Sequence, residues 1–172
     1  MKPDRAEHLE KRETKNKALK ERKKTMPSSH ICLNVHLVFS TKDRLPQIKI
    51  DWQERLHAYL GGTVKGLDAV PLAIGGIYDH VHLLVSFKSK HRLDYFLREL
   101  KADSSGWVHK ELSKEFQWQV GYGAFSVSPN SIDGVKKYIA NQAEHHKVKT
   151  FEDEYLELLK ASGIEYDEKY LW

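Results

Sequence analysis

The sequence predicts an α+β fold: a ferredoxin-like or RRM-like antiparallel sheet of order βαββαβ, with helices on one face and an additional C-terminal helix that bears a tyrosine. Two observations support this prediction. Apolar residues alternate regularly over residues 31–39 and 81–87, which indicates strands with one buried face. Segments with helical apolar spacing follow the first and the third strand, and this order of elements is the split βαβ arrangement.

The first half of the pattern begins with the strand at 31–39, in which every odd position is apolar. A polar loop follows. We expect a helix from Asp51, which would cap it, because apolar residues recur at helical spacing as far as Val64 and glycines follow. Residues 70–78 then predict the second strand.

The second half of the pattern completes the sheet and adds the two last helices. Its elements are a third strand at 80–87, a long helix at 93–112, a fourth strand at 116–127 and a helix at 131–146. A final helix is predicted after Thr150, which would cap it together with Asp153, and Gly163 would end it.

Composition limits the class of protein. The chain has 172 residues, which suits one compact domain with appendages. Its single cysteine, Cys32, excludes an intramolecular disulfide, and no apolar run approaches the roughly 18 residues that a membrane span needs. These features exclude disulfide scaffolds and membrane proteins, and they lead us to expect a cytoplasmic protein without a membrane partner.

Charge is segregated along the chain, although the formal net charge is only +4. Residues 1–25 carry ten basic and five acidic side chains, whereas residues 152–172 carry seven acidic and two basic ones. We therefore divide the chain into a basic arm at 1–27, expected to be disordered or loosely helical, a central domain at 28–148 and an acidic helical extension at 149–172. The mildly basic central domain favours a polyanionic partner.

Three histidines are predicted to share the face of the sheet that is opposite the core. Strand alternation turns Val81 towards the core, so His80 and His82 point to the other face, where His36 of the first strand should lie too. Residues i and i+2 of a strand lie about 6.5–7 Å apart at Cα, so two such imidazoles could converge on one metal ion. A polar stripe on a solvated face is the alternative interpretation.

The helix at 131–146 has an unusually polar second face. Tyr138 and Gln142 are four residues apart and share that face, and His145 lies further along it. Packing and a surface amide would be the ordinary explanation for such a pair. The two histidines on the uncovered face of the sheet suggest instead that this polar helix face takes part in a chemical site.

Four segments of the chain form an ordered set of motifs. They are HLVFSTKDR at 36–44, DHVHLLV at 79–85, WQVGYGAFS at 118–126 and YIANQAEHH at 138–146. Together they resemble the small single-tyrosine HUH transposases of IS200-like insertion sequences and their REP-associated relatives. The resemblance covers residues 29–146, and residues 151–172 are similar to a common C-terminal extension of that family.

The resemblance implies a residue-specific active site. His80 and His82 would be ligands of a divalent metal, Mg²⁺ or Mn²⁺, with Gln142 as the third protein ligand and Tyr138 as the nucleophile. Such a metal-dependent transposase, a single-stranded DNA endonuclease, cleaves and rejoins DNA by transesterification through a 5′-phosphotyrosine intermediate. Because a phenol has a pKa of about 10, the nucleophile needs activation, for which we consider the metal and His145.

The implied partners are single-stranded DNA with hairpin ends and a second copy of the chain. In the family, dimerisation places the tyrosine helix of one subunit over the histidines of the other, and the sequence leaves open whether Tyr138 acts within its own chain. Thr41, Lys42 and Arg44 leave the first strand together, and we expect them to bind DNA phosphates; an ordinary charged loop is the alternative.

Two rival functions remain open from the sequence. The first is a non-catalytic or domesticated RRM-like nucleic-acid-binding protein, including one that processes REP hairpins. A non-catalytic binder would need stacking aromatic residues on the open face of the sheet. The second is a metal hydrolase that uses water, with ligands Cys32, His36, His80 and His82. It leaves the tyrosine helix without a role.

Overall fold

The structure is a computed structural model that describes residues 30–171. The predicted basic arm at 1–27 lies outside the described residues. Four strands and five α-helices follow one another among the described residues of the compact unit that begins at Cys32. They are β1 (Leu33–Ser40), α1 (Gln53–Gly66), β2 (Val70–Gly76), β3 (His80–Phe87), α2 (Leu93–Glu111), β4 (Gly123–Val127), α3 (Ile132–Ala140), α4 (Gln142–His145) and α5 (Phe151–Ala161).

The predicted fold class is confirmed. The four strands form one antiparallel sheet in the order β2-β3-β1-β4, so β1 lies between β3 and β4. The register pairs Val38 of β1 with His82 of β3, and Ser40 with His80. This register brings the start of β3 beside the end of β1.

One face of the sheet, which we call the core face, packs against α1 and α2 as predicted. Its strand residues are the apolar odd positions of β1 and β3, with the exception of Leu33, which is exposed at the start of β1. The fully buried helix residues that cover it include Leu56, Leu60, Val64, Leu97, Leu100 and Val108. Burying this set away from water is the main driving force for the fold.

The opposite face, which we call the site face, is not bare. Helix α3 lies across β2 and β3, and a Cβ added to Gly75 of β2 would lie 2.4 Å from the backbone oxygen of Ile139. Helix α5 packs over β1 and β4, where Phe151 and Leu159 join Val38 and Phe125 in a second, smaller apolar cluster. The site face is therefore buried by the chain's own C-terminal third.

Some predicted boundaries are wrong for local reasons. Strand β4 is shorter than predicted, because Trp118 pairs with Thr41 through an isolated bridge and packs on the core-face cluster instead of extending the ladder. The helix predicted at 131–146 breaks at Asn141, whose backbone (φ −102°, ψ 15°) leaves the helical region. Asp51 does not cap α1, which begins after Trp52 without a side-chain cap.

The end of the chain follows the prediction more closely. The Thr150 hydroxyl accepts a hydrogen bond from the Asp153 backbone N–H and caps α5. After α5, Gly163 adopts a left-handed conformation with φ 64°, which a glycine accepts without strain. Between His30 and Leu171, the structure contains no helix that is both long and apolar enough to cross a membrane.

Candidate active site

The site is built on the first residues of β3. His80 and His82 have no exposed surface, and both point to the site face, as strand alternation predicts. His36 of β1 lies beside them, and its Nε2 is 2.9 Å from Nδ1 of His82, so these two buried rings share a hydrogen bond. The predicted sharing of one face by the three histidines is confirmed.

Two of the imidazoles are held through Nδ1, which leaves Nε2 directed into the site. His80 Nδ1 lies 2.7 Å from an oxygen of Asp79, and His146 Nδ1 lies 2.9 Å from the backbone oxygen of Lys149. Because a carboxylate and a carbonyl only accept hydrogen bonds, both rings donate from Nδ1. A metal-binding histidine is commonly oriented in this way by a carboxylate or carbonyl behind it.

A buried carboxylate, Glu154 of α5, faces these rings. Its Oε2 is 3.3 Å from Nε2 of His146, 3.4 Å from Nε2 of His82 and 3.8 Å from Nε2 of His80. The ligand atoms of these four residues all lie within 4.8 Å of one another. They could therefore hold a metal ion.

The donor atoms themselves fit a cation. His82 Nε2 and Glu154 Oε2 are buried without a hydrogen-bond partner among the described residues. Gln142 adds a third kind of ligand, because its Oε1 lies 3.2 Å from His80 Nε2 and 3.0 Å from His146 Nε2. Buried polar atoms without partners are costly, and a shared cation would satisfy all of them at once.

Tyr138 of α3 meets the same carboxylate from the other side. Its hydroxyl donates a hydrogen bond to Oε1 of Glu154, and its ring stands edge-on to His36 and His82, with centroids 6.0 and 5.8 Å away. A cavity of about 280 Å³ is lined by both Tyr138 and Glu154. Tyr138 thus lies where this cavity meets the polar cluster.

The electrostatics of the site suit a divalent cation. Burial lowers the pKa of His82 to about 4, and burial together with the neighbouring His82 lowers the pKa of His36 to about 3. Burial opposes ionisation of Glu154, but the facing imidazoles of His146 and His82, together with the hydrogen bond from the Tyr138 hydroxyl, hold its pKa well below the usual range. At neutral pH the site therefore offers neutral rings at His36 and His82 and a carboxylate at Glu154. Burial lowers the pKa of His146, but the facing Glu154 outweighs burial and raises it, so metal binding would displace any proton from that ring.

The tyrosine is not activated by the protein alone. Burial, and then the hydrogen bond to the Glu154 carboxylate, raise the pKa of Tyr138 above its usual range. His145, considered above as a base, has its Nε2 3.5 Å from Oε1 of Glu154, while the phenol hydrogen bond goes to Glu154 itself. The nearest proton acceptor to the phenol is therefore the Glu154 carboxylate.

The structure brings together, within one chain, all four residues that the resemblance implies for catalysis and metal binding: Tyr138, His80, His82 and Gln142. The loop after β1 is arranged differently from the expectation. Thr41 is fully buried, and its hydroxyl donates to the backbone oxygens of Leu45 and Asp79 at 2.6 and 3.1 Å.

The two basic residues of that loop lie nearer to solvent. Lys42 is exposed, and Arg44 forms an ion pair with Glu152 in the first turn of α5. The loop therefore lies next to the N-terminus of the helix that carries Glu154. The buried side chain of Thr41 lies on the inner side of this loop, and Lys42 and Arg44 lie on its outer side.

Sequence reasoning assigned no role to two residues of the cluster: His146, which lies on the polar face of the tyrosine helix, and Glu154. Glu154 belongs to the acidic extension, which contains seven carboxylates, and composition alone does not distinguish it from the other six. A signal was present, because residue 154 falls three residues after Phe151 and four before Leu158, on the apolar side of the helix. An acidic residue at a buried helical position needs a cationic or hydrogen-bonding partner.

The ligand set of the rival hydrolase is not assembled. Cys32 is exposed, and its sulfur accepts a hydrogen bond from the Asn34 amide at 3.3 Å. Of the four proposed ligands, only His80 and His82 belong to the cluster found among the described residues. The open aromatic platform of an RRM-like binder is missing too, because α3 and α5 cover the site face in residues 132–161.

Comparison with known proteins identifies the family of the chain. Residues 29–142, more than half of the chain, match the family described as "Transposase IS200 like". The chain therefore belongs to the IS200-like transposase family. No curated protein matches its sequence significantly.

Solved structures agree with this fold. A crystal structure of a candidate transposase from Deinococcus radiodurans R1 is similar with a TM-score of 0.57 and 22% identity, over 69% of this chain and 96% of that one. A REP-associated tyrosine transposase bound to a REP hairpin is similar with a TM-score of 0.53 and 14% identity, over 70% of this chain and 73% of that one. At these identities the likeness concerns the fold.

Proposed function

We propose that this protein is a metal-dependent transposase that cleaves and rejoins single-stranded DNA, with Tyr138 as the nucleophile. One observation carries the proposal: the Tyr138 hydroxyl is hydrogen bonded to the same carboxylate that faces the imidazoles of His80 and His82. A phenol beside a cation-binding cluster is what phosphoryl transfer to a tyrosine requires. Membership of the transposase family supports the same substrate class.

The proposed reaction is a pair of transesterifications. The Tyr138 oxygen forms a bond to a backbone phosphorus, the bond from that phosphorus to the 3′ oxygen breaks, and the DNA leaves with a free 3′-OH. The 5′ end stays on the protein as a phosphotyrosine. A DNA 3′-OH then attacks this phosphorus, releases the phenol and restores a phosphodiester. The number of phosphoester bonds is conserved, so no ATP is consumed.

The residues around Tyr138 have separate tasks in this reaction. Glu154 Oε1 holds the hydroxyl and lies where the phenolic proton would go. His80, His82 and Gln142 would hold the divalent metal, Mg²⁺ or Mn²⁺, and they are oriented by Asp79, His36 and Glu154. When bound, the cation would stabilise negative charge on the phosphate under attack and lower the pKa of the phenol.

The proposed partner is single-stranded DNA with hairpin ends. The REP-associated tyrosine transposase, similar in fold, is bound to a REP hairpin. In this chain, Arg44 is paired with Glu152 at the N-terminus of α5 and Lys42 is exposed in the same loop, and both would contact phosphates. Phosphate contacts of this kind would make the affinity fall with rising salt.

A homodimer with shared active sites is part of the proposal, although Tyr138 reaches Glu154 within one chain. Mixing a Tyr138→Phe variant with a His82→Ala variant tests the sharing. Recovery of covalent DNA attachment in the mixture, up to about a quarter of the wild-type level for random reassortment of subunits, indicates that tyrosine and metal ligands come from different subunits. Continued inactivity of the mixture indicates that each chain uses its own tyrosine.

The test of the proposed function is covalent capture. A labelled single strand that carries a hairpin is incubated with the protein and Mn²⁺, and the products are separated on a denaturing gel. We expect a protein–DNA adduct that chelation prevents and that Tyr138→Phe abolishes, with hairpin affinity unchanged. An adduct that persists in the Tyr138→Phe variant would remove this residue from the reaction.

A further inference from the structure

We infer that the C-terminal extension is a working part of the metal site: Glu154 of α5 and His146, which follows α4, are ligands of the same cation as His80 and His82, and Glu154 also positions the nucleophile. The inference rests on the proposed function and goes beyond it, because the implied ligand set contains neither residue. It changes the role of α5 from a cover of the sheet to a carrier of the only carboxylate ligand within the described residues.

The spacing of the donor atoms supports a shared cation. Metal bonds to imidazole nitrogen and carboxylate oxygen of about 2.0–2.2 Å place neighbouring ligand atoms roughly 2.9–3.5 Å apart. Glu154 Oε2 lies 3.3 Å from His146 Nε2 and 3.4 Å from His82 Nε2. The third distance, 3.8 Å to His80 Nε2, is intermediate between neighbouring and opposite positions around one ion.

The charge of the site supports the same conclusion. The implied ligands His80, His82 and Gln142 bind a metal through neutral groups, so a divalent cation held by them alone would have no anionic protein ligand. Glu154 is only 2% exposed, and its Oε2 has no hydrogen-bond partner among the described residues. A buried carboxylate is expected to pair with a cation or bind a metal, and this one supplies the missing negative charge.

The two oxygens of Glu154 have different partners. Oε2 faces the three imidazoles, while Oε1 accepts hydrogen bonds from the Tyr138 hydroxyl and, at 2.9 Å, from the Gln142 amide. One carboxylate thus contacts both the proposed nucleophile and the proposed metal position. Replacing Glu154 by a residue without a negative charge would remove the contact that positions Tyr138 relative to the metal.

Helix α5 is anchored well enough to serve as a ligand carrier. Phe151, one turn before Glu154, stacks on the His80 ring with centroids 4.4 Å apart. Phe151 and Leu159 are buried with Val38 and Phe125 of the sheet. A ligand must be held by packed neighbours if it is to select geometry, and these contacts supply that support.

A purely structural ion pair between His146 and Glu154 is the competing explanation, and metal binding separates the two. We would titrate the full-length, DNA-free, chelator-treated protein with Mn²⁺ and measure the affinity by calorimetry. We expect Glu154→Gln and His146→Ala each to weaken Mn²⁺ binding at least about tenfold. The matched control is Glu157→Gln, one turn along the same helix on an exposed side chain, which should change the affinity less than about twofold.

Two further readouts exclude a merely structural effect. Pulsed electron paramagnetic resonance of bound Mn²⁺ should show three coordinated imidazole nitrogens in the wild type and two in His146→Ala. In adduct formation, Glu154→Gln should lower kcat with little change in the KM for DNA, because its carboxylate positions the phenol. Melting temperatures of the metal-free variants identify any variant that does not fold, and Glu154→Asp then replaces Glu154→Gln.

The outcomes distinguish this inference from the proposed function. If His82→Ala loses Mn²⁺ binding while Glu154→Gln and His146→Ala retain wild-type affinity and nitrogen count, the inference is overturned and the proposed function stands. If the wild type binds no Mn²⁺, or the His82→Ala variant binds it equally well, both fall. Loss of affinity in all three variants, with Glu157→Gln unaffected, supports both.

Discussion

The two faces of the sheet are both buried, but they are buried by different chemistry. On the core face, β1 and β3 present leucine, valine and phenylalanine to α1 and α2. On the site face, the same two strands present His36, His80 and His82 to α3 and α5. Consecutive residues of one strand, such as His82 and Leu83, therefore lie in a polar and an apolar environment, respectively.

The two faces of the sheet therefore have different roles: the core face supplies stability, and the site face carries the candidate active site. Apolar burial stabilises without directional demands, so the core face can supply most of the folding free energy. Polar groups on the site face have lost water, and several of them face each other without hydrogen bonds. That arrangement is unfavourable in the metal-free chain, and in the proposed function it would serve to bind a cation and a phosphate. Neighbouring positions on opposite faces offer direct tests.

The largest effect is expected from His82→Ala on the site face. Loss of this ligand should reduce metal-dependent DNA cleavage at least about 10³-fold, since a bound cation contributes several kcal/mol to the transition state. Rates of adduct formation at saturating Mn²⁺ measure it. The free energy of unfolding should change less than in the core-face variant below, because the lost ring has an unpaired buried nitrogen. Undiminished cleavage would show that His82 is not a ligand of a catalytic metal.

Leu83→Ala, at the next residue, should show the opposite pattern. Leu83 has no exposed surface and packs in the core-face cluster, so the cavity left behind should lower the free energy of unfolding by about 2–5 kcal/mol. Urea unfolding measures the loss. Cleavage by the folded fraction, assayed well below the melting temperature, should stay within about threefold of the wild type. A large loss of cleavage in the folded protein would contradict the separation of the two faces.

Acid should destabilise the metal-free protein through the site face. The folded pKa values of about 3 for His36 and about 4 for His82 lie below the ordinary histidine value of 6.5, so the unfolded chain binds more protons in this range. Their stabilisation is complete above pH 6.5 and is lost as the pH falls towards 4. Glu154, whose pKa is lowered, acts in the same direction below its unfolded pKa. His146, whose pKa is raised, opposes them.

The net loss between pH 7.5 and 5 should be about 2–4 kcal/mol in the free energy of unfolding. Urea titrations in the presence of a chelator measure it, and His36→Asn should flatten the profile. Leu83→Ala serves as the control, because it should lower stability equally at both pH values. A wild-type stability that is constant over this range would show that the histidines of the site face are solvated.

The smallest effect concerns how closely α3 docks on the sheet. In Gly75→Ala the new methyl carbon would meet the Ile139 backbone oxygen at 2.4 Å, so α3 must shift away from β2. We expect a destabilisation of about 1–3 kcal/mol, together with slower adduct formation because Tyr138 lies on the same helix. Thermal unfolding and the adduct assay measure the two effects.

The control is Gly62→Ala in α1 on the core-face side, where a Cβ would have open space. Alanine favours helix, so this change should raise stability by about 0.5–1 kcal/mol without altering adduct formation. Equal behaviour of the two variants would indicate that α3 does not rest on the sheet at Gly75.

Local patterns in the sequence determined a large part of this architecture. Alternation along β3 fixes which residues share a face, so the sequence alone places His80 and His82 opposite Leu83. The spacing of Tyr138 and Gln142 places both on one helical face even though Asn141 interrupts the helix. Thr150 and Asp153 identify the start of α5. Each of these features depends only on backbone geometry within a few residues.

Only the tertiary structure decided which distant residues complete the site. Glu154 is 72 residues after His82, and nothing in the local pattern of α5 says which strand it will face. Its position depends on how Phe151 and Leu159 pack against Val38 and Phe125, which is a property of the whole fold. The burial of the site face and the inward position of Thr41 have the same origin. The backbone geometry of a strand or helix determines which of its side chains share a face. Which elements meet depends on how they pack together, and packing cannot be deduced from any short segment of the chain.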